Sequence, residues 1–247
     1  MFFTKNIKKL TEEAQKQMSH SFDPLHDLRH VKRVVENTKK ISRNIKLSQK
    51  ERDALELSAW WHDTSRAISN KPSMLWMALF DDNFSAFALL FYAIRYRVMS
   101  SVVIKSFVIL MCSGIVTGKI MTKIFANKRT RLVLNLLKDA DMMDVLNIQR
   151  FYEATHLAKL SKNNLRKFYT LIWINLNTNI LEMKTTEARI CIEETIKNFI
   201  EWLTQAEIYL WHVENFGQDW LEKTMSQLEN KLNNVIELNS ISYSIAK

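Results

Sequence analysis

Three glycines and two prolines in 247 residues leave this chain few means of turning sharply. Strand-rich folds reverse every ten residues or so and draw on those two residue types to do it, whereas helices do not. An all-α fold is therefore expected. At this length the chain can bury one good core, or a core plus a helical extension, without disulfide or metal staples. Cys112 and Cys191 lie far apart and in no ligand-like spacing, which argues against a disulfide framework or a zinc–thiolate site and points to a reducing compartment. The opening MFFTKNIKKL lacks the apolar core and small-residue cleavage site of a secretory signal. A cytoplasmic location is the resulting expectation.

Periodicity divides the chain into helices. Ile7, Leu10, Ala14 and Met18 recur at three- and four-residue intervals over 5–18. The polar cluster Ser19 to Pro24 breaks that pattern, and a new element is expected near Leu25. Val31, Val34, Val35, Thr38 and Ile41 mark a second helix. Ser48 with Glu51 reads as a capping box opening a third, which carries Ala54, Leu55, Leu57, Ser58 and Trp61 into His62-Asp63. Further helices are expected over 129–150, 151–178, 184–212 and 217–238. The last has a stripe of Leu221, Met225, Leu228, Leu232 and Val235 suited to internal packing.

Between these lie two apolar stretches, 84–94 and 98–116, separated by Arg95 and Arg97. A membrane span needs about 20 consecutive apolar residues, and Lys105 interrupts the longer stretch. Buried core helices or a cap over a site are expected, with a membrane-contacting hairpin as the alternative. The formal charge of +9 favours anionic partners such as phosphates, nucleic acid or acidic lipid. The lysines are scattered, however, and no RNA-recognition, zinc-finger or glycine-rich phosphate-loop pattern is present.

Three segments carry chemistry: DPLHDLRHVKRV at 23–34, SAWWHD at 58–63 and LLKDADMMD at 136–144. Their order, spacing and helical setting resemble the HD-domain metal-dependent phosphohydrolases. The resemblance covers roughly residues 20–150. It implies a helical HD-domain bundle over 1–150, with 74–118 as an apolar cap or insertion, and a C-terminal helical extension over 151–247. It also implies one divalent metal ion held by His30, His62, Asp63 and Asp141. His30 is selected because it, with Arg33 and Val34, matches the family's His-x-x-Arg-Val element. Asp141 is selected by aligning Ala140-Asp141-Met142-Met143 on the Ala-Asp-Arg-Leu element of the guanosine tetraphosphate hydrolases. Asp139 is the alternative, and a helix points the two about 200° apart.

Two imidazoles and two carboxylates form a mixed shell suited to Mn, Mg, Co, Ni, Fe or Zn. A cation so held polarises a phosphoryl oxygen and activates water, so the resemblance implies hydrolysis of a phosphate ester or anhydride, with nucleotides the commonest substrates. Asp63 or a neighbouring carboxylate is the candidate to hold the attacking water or take its proton. Arg33 and Arg66 are expected on the rim, one of them contacting phosphate. His26 is expected beside the site, Asp27 as an imidazole-orienting acceptor or a helix cap, and Asp144 as an outer carboxylate or surface charge. Trp60 and Trp61 are expected to pack behind the site, with stacking on a base as the alternative for one of them. No histidine lies between Asp63 and Asp141, and Thr64-Ser65-Arg66 stands where the guanosine tetraphosphate hydrolases carry a Glu-Asp pair. The first absence favours one metal over two, and both leave the substrate open. His20, His156 and His212 have no partner at ligand spacing. A catalytically inactive HD-fold protein that binds a nucleotide, nucleic acid or membrane surface is the alternative function.

Overall fold

The computed structural model describes residues 5–21, 26–67, 76–114, 117–152 and 183–245. Among them there is no strand, as the scarcity of glycine and proline requires. The helices are α1 (Lys5–Met18), α2 (Leu28–Ser42), α3 (Gln49–Trp61), a 3-10 turn (Thr64–Ala67), α4 (Trp76–Arg95), α5 (Ser101–Ser113), α6 (Gly118–Phe125), α7 (Lys128–Asp144), α8 (Ile148–Tyr152), α9 (Thr186–Thr204), α10 (Ala206–Phe216) and α11 (Gln218–Ile245). The chain divides into two compact units, Met1–Asp141 and Met142–Lys247.

In the first unit α3 is the central element. It is packed by α1, α2 and α5 and buries residues around its whole circumference, Glu51, Asp53 and Glu56 included. A helix enclosed in this way must neutralise its own charges. Lys39 reaches Glu56 at 3.0 Å and Gln49 donates to Asp53 at 2.7 Å. Glu51 closes the expected capping box with Ser48 and also accepts from Arg129 on α7 at 2.6 and 2.9 Å and from Lys105 on α5 at 3.3 Å. Arg52 donates to the carbonyls of Ser42 and Ile45, closing the end of α2 onto the start of α3.

Glu51 thus joins three helices, and its hydrogen bond from Arg129 leads the interactions that, against burial, hold its carboxyl far below the ordinary 4.5. A depressed folded-state pKa contributes stability that is complete above the unfolded value and is lost as pH falls below it. Glu51→Gln should therefore cost about 2 kcal/mol at pH 7. Urea midpoints should show the gap between variant and wild type closing as the pH is lowered below 4.5; a pH-independent gap would refute the ion-pair account.

In the second unit, α9, α10 and α11 pack on one another. Leu221, Leu228 and Val235 are buried, so that part of the α11 stripe serves internal packing. Asn239 on α11 donates to Glu193 on α9 at 2.8 Å. Phe151 stacks against Phe199 at 4.6 Å.

Several expected boundaries move. The helix expected over 129–150 ends at Asp144 and restarts at Ile148, where Asn147 accepts from the Arg150 amide and buried Asp144 pairs with Arg150 at 3.5 Å. The helix expected over 184–212 breaks at Gln205, whose ψ of 131° is extended. The start expected near Leu25 falls outside the described residues, and α2 itself begins at Leu28, capped by Asp27. Beyond Tyr152, the helix expected over 151–178 also lies outside them, as does His156. Residues 118–125, assigned no element from sequence, form α6. The expectation of buried core helices over 84–94 and 98–116 holds for only one side of each: Phe84, Phe87, Phe91, Ile94 and Ile104 are exposed.

Candidate metal centre

The end of α3 is clamped from two sides. The Trp61 indole donates to the Leu10 carbonyl of α1 at 3.2 Å and packs against Tyr92 of α4. Directly after it, the Ser65 amide donates to the Ser85 hydroxyl of α4 at 3.1 Å, so the turn carrying His62 and Asp63 has little freedom. Nδ1 of His62 lies 2.8 Å from the Ala59 carbonyl. A carbonyl can only accept, so Nδ1 carries a proton, and in the neutral ring Nε2 presents a lone pair to the interior.

His30 enters from α2. Asp27 caps that helix, accepting from the amides of Arg29 and His30 itself, and Arg29 holds the same carboxylate at 2.7 Å. Asp27 is therefore the helix cap rather than an imidazole-orienting acceptor. Seven residues after His30, on the same face of α2, Asn37 donates to the Ala140 carbonyl of α7 at 3.0 Å. That bond fixes α7 one residue before Asp141.

The donor atoms converge. Nε2 of His30 and Nε2 of His62 are 3.2 Å apart. Asp63 Oδ2 lies 3.2 Å from the first and 3.4 Å from the second, and Asp141 Oδ1 lies 3.3 and 3.8 Å from them. Donors about 2.1 Å from one ion stand about 3.0 Å apart at right angles and about 3.4 Å apart tetrahedrally, so these spacings suit a shared cation. His30, His62 and Asp141 by themselves offer ligand atoms within 4.8 Å of one another. Asp63 Oδ2 is buried and has no hydrogen bond of acceptable geometry among the described residues. A buried carboxylate oxygen so placed is costly unless a cation meets it. His30, His62 and Asp141 can therefore hold a metal ion, with Asp63 Oδ2 beside both imidazoles.

Comparison with protein-family models, curated proteins and solved structures returned no match.

The electrostatics agree with the donor geometry. Burial would raise the Asp63 carboxyl, but the charges of His62 and His26, the contact with His30 and the Arg66 guanidinium hold it well below the usual carboxylate range. Against burial and the charge of Asp63, the contact with His30 and the charges of both imidazoles bring Asp141 down to about 2. Both carboxyls are anionic at neutral pH.

The structure also sorts the remaining candidates. Asp139 is buried and is not one of the clustered donors; the helical offset turns it away from Asp141. His26 packs edge-on against His30 with ring centroids 5.5 Å apart. Arg66, expected on the rim, is instead buried, with Nε 3.6 Å from Asp63 Oδ1, because the 3-10 turn folds it back over the carboxylate three residues earlier. Arg33 is half-buried on α2, one turn beyond His30. Asp144 is neither an outer ligand nor a surface charge, being buried with Arg150. His20 is exposed and bonded to the Lys16 carbonyl. His212 is enclosed by Trp202, Trp211 and Phe216.

Two residues escaped sequence reading. Asp82 on α4 is close enough to His62, Asp63 and Asp141 for their charges to act on it, and burial, with both carboxylates adding, pushes its carboxyl up to about 7 against His62 and a hydrogen bond from Ser113. Its signal was available: it is the last acid before a long acid-free stretch. Asn37 offered no such signal, since a half-buried amide on a helix has many uses. Asn37→Ala should weaken divalent-cation binding about tenfold, in the manner of lost supporting hydrogen bonds. Calorimetric titration checks this, and unchanged affinity would show that the bond to Ala140 does not position Asp141.

Proposed function

We propose that this chain is a metal-dependent phosphohydrolase of the HD-domain type, acting on a phosphate ester or anhydride with a nucleotide as its substrate class. One observation carries the reading. Two imidazole nitrogens 3.2 Å apart both face a buried carboxylate oxygen that has no hydrogen bond of acceptable geometry among the described residues, and the order His, His-Asp, Asp in which the donors occur is that of the HD-domain hydrolases. When bound, a divalent cation supplies Lewis acidity at a phosphoryl oxygen and makes water more acidic.

The chain's own residues supply the rest. Arg66 lies against Asp63 Oδ1 and orients that carboxylate. Asp82 faces the same charges from α4 and is the group placed to hold or move a proton beside the site. Arg33, one turn beyond His30, is the candidate for neutralising substrate phosphate.

The test is metal analysis of protein purified without chelator, followed by phosphate release from nucleoside mono-, di- and triphosphates with Mn, Mg, Co or Ni. The expected result is about one ion per chain and cation-dependent release from at least one nucleotide. Cation binding with no release from any phosphate ester would overturn the enzymatic reading and leave a binding module.

A further inference from the structure

Helix α4 is inverted relative to an ordinary amphipathic helix. It buries Ser85, Ala86, Leu89 and Ala93, and it exposes Phe84, Phe87, Phe91 and Ile94 at positions i, i+3, i+7 and i+10, which form one stripe. Water alone would favour the opposite arrangement. The stripe continues onto α5, where Phe107 meets Phe87 edge-on at 5.7 Å and Ile104 is exposed. Next in the chain, α6 buries only Gly118 and exposes Ile120, Ile124 and Phe125. All eight of the exposed residues named here keep 54% or more of their surface, more than scattered surface apolars require.

These faces belong to a fixed platform. A Cβ on Gly118 would stand 2.6 Å from the Cys112 carbonyl oxygen, so the backbone of α6 starts directly against the end of α5. Asn83 of α4 and Thr117 exchange hydrogen bonds at 2.9 and 3.1 Å.

Charge identifies the occupant. Residues 83–138 contain nine lysines and arginines and no aspartate or glutamate. Lys105 and Arg129 are engaged by Glu51, whereas Arg97, Lys119 and Lys123 are exposed. Lys119 and Lys123 are spaced one turn apart, each next to the exposed Ile120 or Ile124. Arg97 ends the phenylalanine helix with φ of 56°, a conformation that glycine adopts more easily.

We propose that the α4–α6 surface docks this protein on the face of an anionic lipid bilayer. The phenylalanines and isoleucines enter the acyl boundary, and the arginines and lysines lie at the level of the phosphate-bearing headgroups. A second copy of the chain is a poor occupant, since it would set one basic stretch 83–138, without an acid, against another. No helix among the described residues is long and apolar enough to cross a membrane, so the contact is interfacial. The proposal is independent of the metal centre.

Flotation of the full chain with vesicles of phosphatidylcholine, with and without about one-third phosphatidylserine, tests it. Binding should require the acidic lipid and weaken as salt rises. Lys119→Glu with Lys123→Glu should lower partitioning by about 25-fold or more, at about fivefold per basic residue. Phe84→Ser, Phe87→Ser and Phe91→Ser combined should abolish binding while leaving the circular-dichroism spectrum that of a folded helical protein, because more than half of each residue's surface is exposed. Failure to float with acidic vesicles, or equal flotation of wild type and both variants, would overturn the proposal. So would a lipid-free dimer, seen by light scattering, that the phenylalanine variant converts to monomer.

Discussion

His62→Ala should yield a folded chain that binds no divalent cation and releases phosphate about a thousandfold more slowly. The imidazole is held in one tautomer by its bond to the Ala59 carbonyl, and its free nitrogen is within 3.8 Å of each of the other three donor atoms. Removing it takes away one of the clustered donors and the bond to the Ala59 carbonyl. A readout apart from activity is the thermal melt. A cation present at about 100 times its dissociation constant stabilises the native state by about 2.7 kcal/mol, so the wild type should melt higher with Mn or Ni and the variant should not. Full metal content in His62→Ala would exclude this nitrogen as a ligand.

Trp61→Ala should have the largest effect on stability, about 3–5 kcal/mol, a large fraction of what a domain ordinarily has. Trp61 is fully buried and ties α3 to α1 through Leu10 and to α4 through Tyr92. Because His62 follows it directly, the same substitution should weaken cation binding. Trp61→Phe keeps most of the apolar volume and loses the indole donor, so it should cost about 1–2 kcal/mol and retain the cation. Urea denaturation with metal titration separates the two variants. A loss under about 1 kcal/mol for Trp61→Ala would mean that the end of α3 is not clamped as described.

Where structure follows from neighbours along the chain, the sequence could be read closely. The capping box of Ser48 and Glu51 needs only residues three apart, and it forms as expected. The choice between Asp139 and Asp141 was also legible in part, because helical geometry allows only one of them on a given face. The breaks at Asp144–Ile148 and at Gln205 were not. At the first, the carboxylate of Asp144 turns inward to a guanidinium, and at the second one extended residue interrupts continuous apolar periodicity. Eight residues that open with a glycine gave α6 too short a pattern to be read. Periodicity found an apolar side on α4 but could not say whether the bulky or the small residues would face inward.

The sequence by itself determined an all-helical chain and the order and chemical types of four donors. Both follow from local terms: few turn residues, apolar spacing of three and four, and side chains able to bind a cation. Only the tertiary structure brought together residues 32 positions apart in the chain. It also aimed Arg66 at Asp63, drew Asp82 toward the site and left the phenylalanines of α4 in the open. Those outcomes depend on which helix faces enclose one another, and packing free energy is a property of the whole core that no short stretch of sequence carries.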